Sequence, residues 1–209
     1  MKRTLWVAVY AIAMAAVESA VVVYLRALHG GAEPLSVLLH EIPDRLVAIE
    51  VGREAATLVM LLAVAGVAGR NAWEGFLYFA LAFGVWDIFY YVWLWVFIGW
   101  PPSLFTWDVL FLIPVPWLGP VLAPVIVSLC LVAGALWLLS RSALRLSRRA
   151  WVLASVGAVL VLLSFTVDYR YALARTDPVR FRWEVFWAGI VIAVGGLVWG
   201  SRRASPTAV

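Results

Sequence analysis

The chain has 209 residues, of which 65% are hydrophobic and only 13% are Asp, Glu, Lys or Arg, with a formal net charge of +4. Soluble domains carry about a quarter charged residues, so these proportions exclude a disordered chain, a coiled coil and an ordinary water-soluble fold. Several apolar runs are long enough to cross a hydrocarbon layer ~30 Å thick. The sequence therefore reads as an all-α, polytopic membrane helix bundle of about six spans, forming a single transmembrane domain over residues 1–209.

The first predicted span covers residues 4–25. Lys2 and Arg3, an apolar stretch and Ala13-Met14-Ala15 have the layout of a cleavable signal peptide. The apolar character continues through Leu25, however, which favours a first membrane helix. Residues 30–44 follow, with Leu35, Leu38, Leu39 and Ile42 at helical spacing, and read as a short helix lying at the outer interface. The second span is expected over 46–69 and the third over 73–98. Residues 100–120 combine five prolines with many large apolar residues. This segment is too apolar for a free loop and too proline-rich for a continuous helix. It is expected to dip back into the outer leaflet as irregular backbone, covered by protein or facing a wet cavity. Spans over 118–140, 150–167 and 183–199 complete the six. Gly196 and Gly200 form a Gly-x-x-x-Gly pair suited to close helix packing, within the chain or between copies.

Charge sets the orientation. Lys2 is the only lysine, and the arginines sit at the ends of apolar runs, where they orient helices and meet anionic lipid rather than nucleic acid. Lys2, Arg3, Arg70, Arg141, Arg145, Arg148, Arg149, Arg202 and Arg203 fall on one side. The positive-inside rule places that side, and both termini, in the cytoplasm, as for a bacterial inner-membrane protein.

With that orientation each acid acquires a depth. Glu18 and Asp87 each lie ~21 Å up their helices at 1.5 Å per residue, in the outer half of the membrane. Glu50 and Glu54 enter with the first turns of the second span. Asp108 belongs to the proline-rich segment, Asp168 to the end of the fifth span and Glu184 to the start of the sixth. Only Glu74 belongs to the opposite end. The acids thus sort toward one side.

Glu50, Arg53, Glu54 and Thr57 occupy positions i, i+3, i+4 and i+7 and share one helix face. The arginine fork can bridge two carboxylates, unless this helix begins only near Ala55 and its charges lie among headgroups. Asp87 has no basic neighbour in sequence. An ionised aspartate at that depth costs ~2.5–3.5 kcal/mol on insertion scales, so it must be protonated, paired, hydrated or bound. Because residues 70–72 alone separate the second and third spans, these are antiparallel neighbours. Arg53 then lies at the depth of Asp87 and is its expected partner.

Phe76, Phe79, Phe83, Trp86, Tyr90, Trp93 and Phe97 form an aromatic stripe on the third span. Ala80, Gly84, Asp87 and Tyr91 form the adjacent narrow one. Such a groove beside an aromatic wall suits a flat or chain-like apolar ligand, and equally helix packing and lipid contact. His29 and His40, near the outer face, are of the type that binds zinc, iron or manganese, but their spacing to the acids matches no usual ligand pattern. No cofactor is named by the sequence. Cys130 stands alone and can form no internal disulfide.

Asp87, Glu50 and Glu54 are the candidate catalytic residues. Glu18, Arg53, Thr57, Trp86, Tyr90, Tyr91, Trp107 and Asp108 are the candidate substrate contacts. The expected activity is acid–base chemistry of the isomerase or cyclase kind on a lipophilic substrate. A proton- or cation-coupled carrier and a non-catalytic subunit or assembly factor of a membrane complex are the alternatives. The expected partners are membrane lipids, a lipophilic small molecule and further copies of the chain.

Overall fold

The computed structural model describes residues 2–28, 44–141, 144–173 and 180–203. Its elements in chain order are α1 (Lys2–Leu28), α2 (Asp44–Ala68), α3 (Ala72–Ile98), β1 (Trp107–Phe111), β2 (Trp117–Pro120), α4 (Leu122–Leu139), β3 (Leu144–Leu146), α5 (Arg148–Thr166), α6 (Tyr169–Leu173), α7 (Trp183–Gly200) and β4 (Ser201–Arg203). All of these except the five-residue α6 and the strands are long and apolar enough to cross a membrane, giving six candidate spans. Helices satisfy every interior backbone group within one segment, which a hydrocarbon solvent requires. Each expected span is found within a few residues of its expected limits. α2 starts at Asp44, so Glu50, Arg53 and Glu54 lie inside a helix and the later start near Ala55 does not occur. The interfacial helix expected over 30–44 falls, apart from Asp44, outside the described residues.

Local signals set the ends. The Asn71 side chain caps α3 by accepting the Glu74 N–H at 2.9 Å. Gly99, in the left-handed region at φ 66°, stops α3 with its N–H on the Trp95 carbonyl. Ser147 caps α5 by accepting the Ala150 N–H at 3.1 Å. The turn between α2 and α3 is tight: a side chain on Gly69 would collide with the backbone of Gly75.

The proline-rich segment is irregular over 100–106 and 112–116, as expected, but two stretches within it are regular strands. β1 and β2 form an antiparallel hairpin with Trp107 opposite Pro120, Asp108 opposite Gly119 and Val109 opposite Leu118, and a register shift before Phe111. The strand runs pair their own N–H and C=O groups. The prolines stand before the hairpin, in its turn or at its end, where no ladder donor is lost. Leu118, Gly119 and Pro120 are buried, so the hairpin is covered by protein. A second short ladder joins β3 to β4 across the ends of α5 and α7.

α3 is the central helix, with α1, α2 and α4 packed around it. α5 and α7 pack on each other, and Trp117, Phe165, Phe181 and Phe186 stack between this pair and the hairpin. The α5–α7 contact is glycine-dependent. A Cβ on Gly157 would sit 2.5 Å from the Gly189 carbonyl oxygen, and one on Gly189 would sit 2.7 Å from that of Gly157. Gly196 and Gly200 meet Leu153 and Ala150 of α5, so the Gly-x-x-x-Gly pair packs within the chain. The bundle is apolar outside, with Val67 89%, Trp6 69% and Val191 66% exposed, while Glu18, Glu50, Glu54, Thr57, Asp87, Asp108 and Ser128 are buried. That inverted polarity fits a hydrocarbon solvent rather than water.

Candidate functional site

Beneath the hairpin lies a cavity of about 70 Å³, lined by Glu18 and Arg26 of α1, Glu50, Arg53 and Glu54 of α2, Trp86, Asp87, Tyr90 and Tyr91 of α3, and the stretch from Asp108 to Leu112. It occupies the C-terminal halves of α1 and α3 and the N-terminal half of α2. Glu74 is at the opposite end, paired with Arg70 at 2.6 Å.

Arg53 organises one wall. Its guanidinium holds Glu50 at 2.7 Å and also pairs with Glu18. Thr57 stands behind and donates to the second oxygen of Glu18 at 3.1 Å. One turn of α2 therefore ties α1 to α2 through Glu18. Glu54 turns the other way and accepts the backbone N–H of Leu112, at 2.9 Å to its nearer oxygen. This bond fastens α2 to the end of β1.

Asp87 accepts the Ser128 hydroxyl of α4 at 2.8 Å. The expected Arg53–Asp87 bridge is therefore not formed, although both residues line the cavity. Asp87 shares its stripe with Ala80 and Gly84, and that stripe is the face α4 packs on. A Cβ on Gly84 would lie 2.7 Å from the Ser128 carbonyl oxygen and 2.8 Å from Val132 Cγ2. α4 thus fills the small-residue groove, so of the roles expected for that stripe, ligand site or helix packing, packing is the one seen. Close backbone approach rotates Asp87 toward Ser128, while Glu18 reaches Arg53 from α1. The aromatic stripe forms as a ladder of ring contacts, with Phe83 and Trp86 closed over by Phe111 of the hairpin.

Asp108 closes the cavity from above. It accepts the Tyr91 hydroxyl at 3.2 Å and the Val109 N–H at 3.0 Å. Burial pushes its carboxyl up to about 6, opposed by the positive charge of Arg26 and by these hydrogen bonds. Arg26 lies over the Trp100 ring at 4.1 Å. The Trp86 indole N–H has no acceptor among the described residues, although the residue is only 5% exposed.

Trp107 is not among the cavity residues; it packs edge-on against Phe181 near the α5–α7 pair. Asp168 and Glu184 also stay away and pair with Arg182 and Arg180. His29 and His40 lie outside the described residues. Among the described residues no three His, Cys, Asp or Glu side chains gather to hold a metal ion. Participants that were not anticipated include Arg26, Ser128 and the Leu112 N–H. Arg26 lies two turns beyond Glu18 on a similar face, and Ser128 carries the only hydroxyl within α4, so both had a legible signal. The Leu112 amide had none, because every residue carries one.

Fold and site together define a polytopic helical membrane protein with a carboxyl-lined chamber toward one end of its bundle. No protein-family model, curated protein or solved structure matches the chain significantly.

Proposed function

We propose that the chamber is the acid–base centre of a membrane-embedded enzyme acting on the polar or unsaturated part of a lipophilic substrate. The protein lies in the bacterial cytoplasmic membrane with both termini in the cytoplasm, and the substrate arrives from the outer leaflet. The observation that carries this reading is a surplus of charge. Among the described residues five carboxyl groups line the cavity with only two guanidiniums, Arg26 and Arg53. In a low-dielectric chamber the three unmatched carboxyls must hold protons or attract positive charge. A protonated acid beside an ionised one is the equipment for proton addition at one substrate atom and removal from another.

Asp87 takes the acid role. It has no arginine partner among the described residues, and Ser128 orients one of its oxygens. Glu50, held beside Arg53, and Glu54, held by Leu112, take the base role. Trp86, Tyr90 and Tyr91 offer ring faces to positive charge developing in the substrate. The cavity has room for a few waters or a small group, so only the reacting end of a lipid enters it, and the remainder lies along the bundle surface. The reaction class that fits is isomerisation or cyclisation, which moves protons without a co-reactant.

The test compares membranes containing wild-type protein with membranes containing Asp87→Asn, at equal folded amounts, by lipid mass spectrometry. A lipid species consumed and replaced by one of equal mass in the wild type, but unchanged in the variant, supports the reading. Full turnover by Asp87→Asn removes Asp87 from the acid role. Cation or proton flux through wild-type proteoliposomes, lost in the same variant without lipid conversion, replaces the enzyme by a carrier.

A further inference from the structure

At the other end of the bundle, α1, α3 and α4 enclose a groove of about 860 Å³. We infer that this groove holds one anionic glycerophospholipid of the adjoining leaflet, with its phosphate between Lys2 and Arg3 and an acyl chain running inward along Val85 and Leu136. Four observations point to this ligand. The volume is in the range of pockets for large organic ligands. The mouth is cationic: Lys2, Arg3 and Arg70 stand there with Glu74 as the only lining acid among the described residues.

Glu74 is already taken by Arg70, which grips it through Nε and Nη2. Among the described residues neither Lys2 nor Arg3 forms a salt bridge; Arg3 lies within electrostatic reach of Glu74 and gives one N–H to the Ala68 carbonyl at 3.1 Å. Finally, away from the mouth the lining is aliphatic apart from Tyr78, with Ala8, Leu81, Val85, Val132 and Leu136. The polarity of the groove therefore matches an amphiphile with a negative head. A choline or ethanolamine headgroup would bring its own cation against Lys2 and Arg3, and fits less well.

The purified full chain is placed in nanodiscs of phosphatidylglycerol and phosphatidylcholine in equal amounts, and retained lipid is read by native mass spectrometry. Wild type should retain one phosphatidylglycerol in preference to phosphatidylcholine by on the order of tenfold. Lys2→Gln/Arg3→Gln should bring the preference close to parity. Ala8→Phe, which fills the groove and leaves every charge in place, should lose the retained lipid. Arg148→Gln/Arg149→Gln, at basic residues outside the groove, should leave retention unchanged. Equal retention of the two lipids by wild type overturns the inference. So does survival of the preference in either groove variant, or an equal loss in the Arg148/Arg149 variant.

Discussion

Asp108 shows how a single side chain links burial to pH. Its carboxyl stands at about 6 because burial penalises the charged form, against an ordinary value near 4. The folded chain thus binds this proton more tightly than the unfolded one. The stability it contributes is complete below about pH 4 and is lost as pH rises through about 6, on the order of 3 kcal/mol in all. Asp108→Asn keeps the neutral shape, so its thermal midpoint in mild detergent should vary less than that of wild type between pH 4 and 7. Parallel curves would mean that Asp108 does not titrate there. Asp87 gives a second prediction at this scale. Ser128→Ala removes the hydroxyl that Asp87 accepts at 2.8 Å, and should cost about 1–3 kcal/mol. The midpoint of unfolding in detergent measures it, and an unchanged midpoint means the bond adds nothing net.

At the scale of elements, packing rests on a few glycines rather than on all of them. Gly157 and Gly189 let α5 and α7 touch backbone to backbone, and Gly84 does the same for α3 against α4. Gly84→Ala and Gly157→Ala should each destabilise by about 1–3 kcal/mol through overpacking. Gly134→Ala, with nothing within 4 Å of the added carbon, should be neutral or slightly stabilising. Equal effects at all three positions in the same unfolding assay would contradict the close-packing account. The six spans were legible because length and hydropathy are properties of consecutive residues. The hairpin was not. Its prolines marked a break in helix, but pairing of 107–111 with 117–120 depends on which backbone groups meet. A tract of large apolar side chains does not state that.

For the whole molecule, the division of labour is between a chamber-bearing unit of α1 to α4 with the hairpin and the α5–α7 pair, which among the described residues adds none to the chamber. Orientation is testable at this scale. With Cys130 replaced by alanine, a cysteine at Arg148 should react with a membrane-impermeant maleimide only from the cytoplasmic side, and one at Ser103 only from the opposite side. The reverse labelling pattern would invert the proposed entry side of the substrate.

Composition and apolar run length by themselves determined that the chain is a helical membrane protein of six spans. Arithmetic along the helices alone brought Glu18, Glu50, Arg53, Glu54 and Asp87 to one depth. These are one-dimensional quantities, and one residue advances a helix by a constant rise. Which of those groups bond to each other was decided only in three dimensions. A helix can turn about its own axis without changing any depth, and that turn is set by where neighbouring backbones approach most closely. At Gly84 the approach of α4 sends Asp87 to Ser128, and Arg53 is left to Glu18 and Glu50.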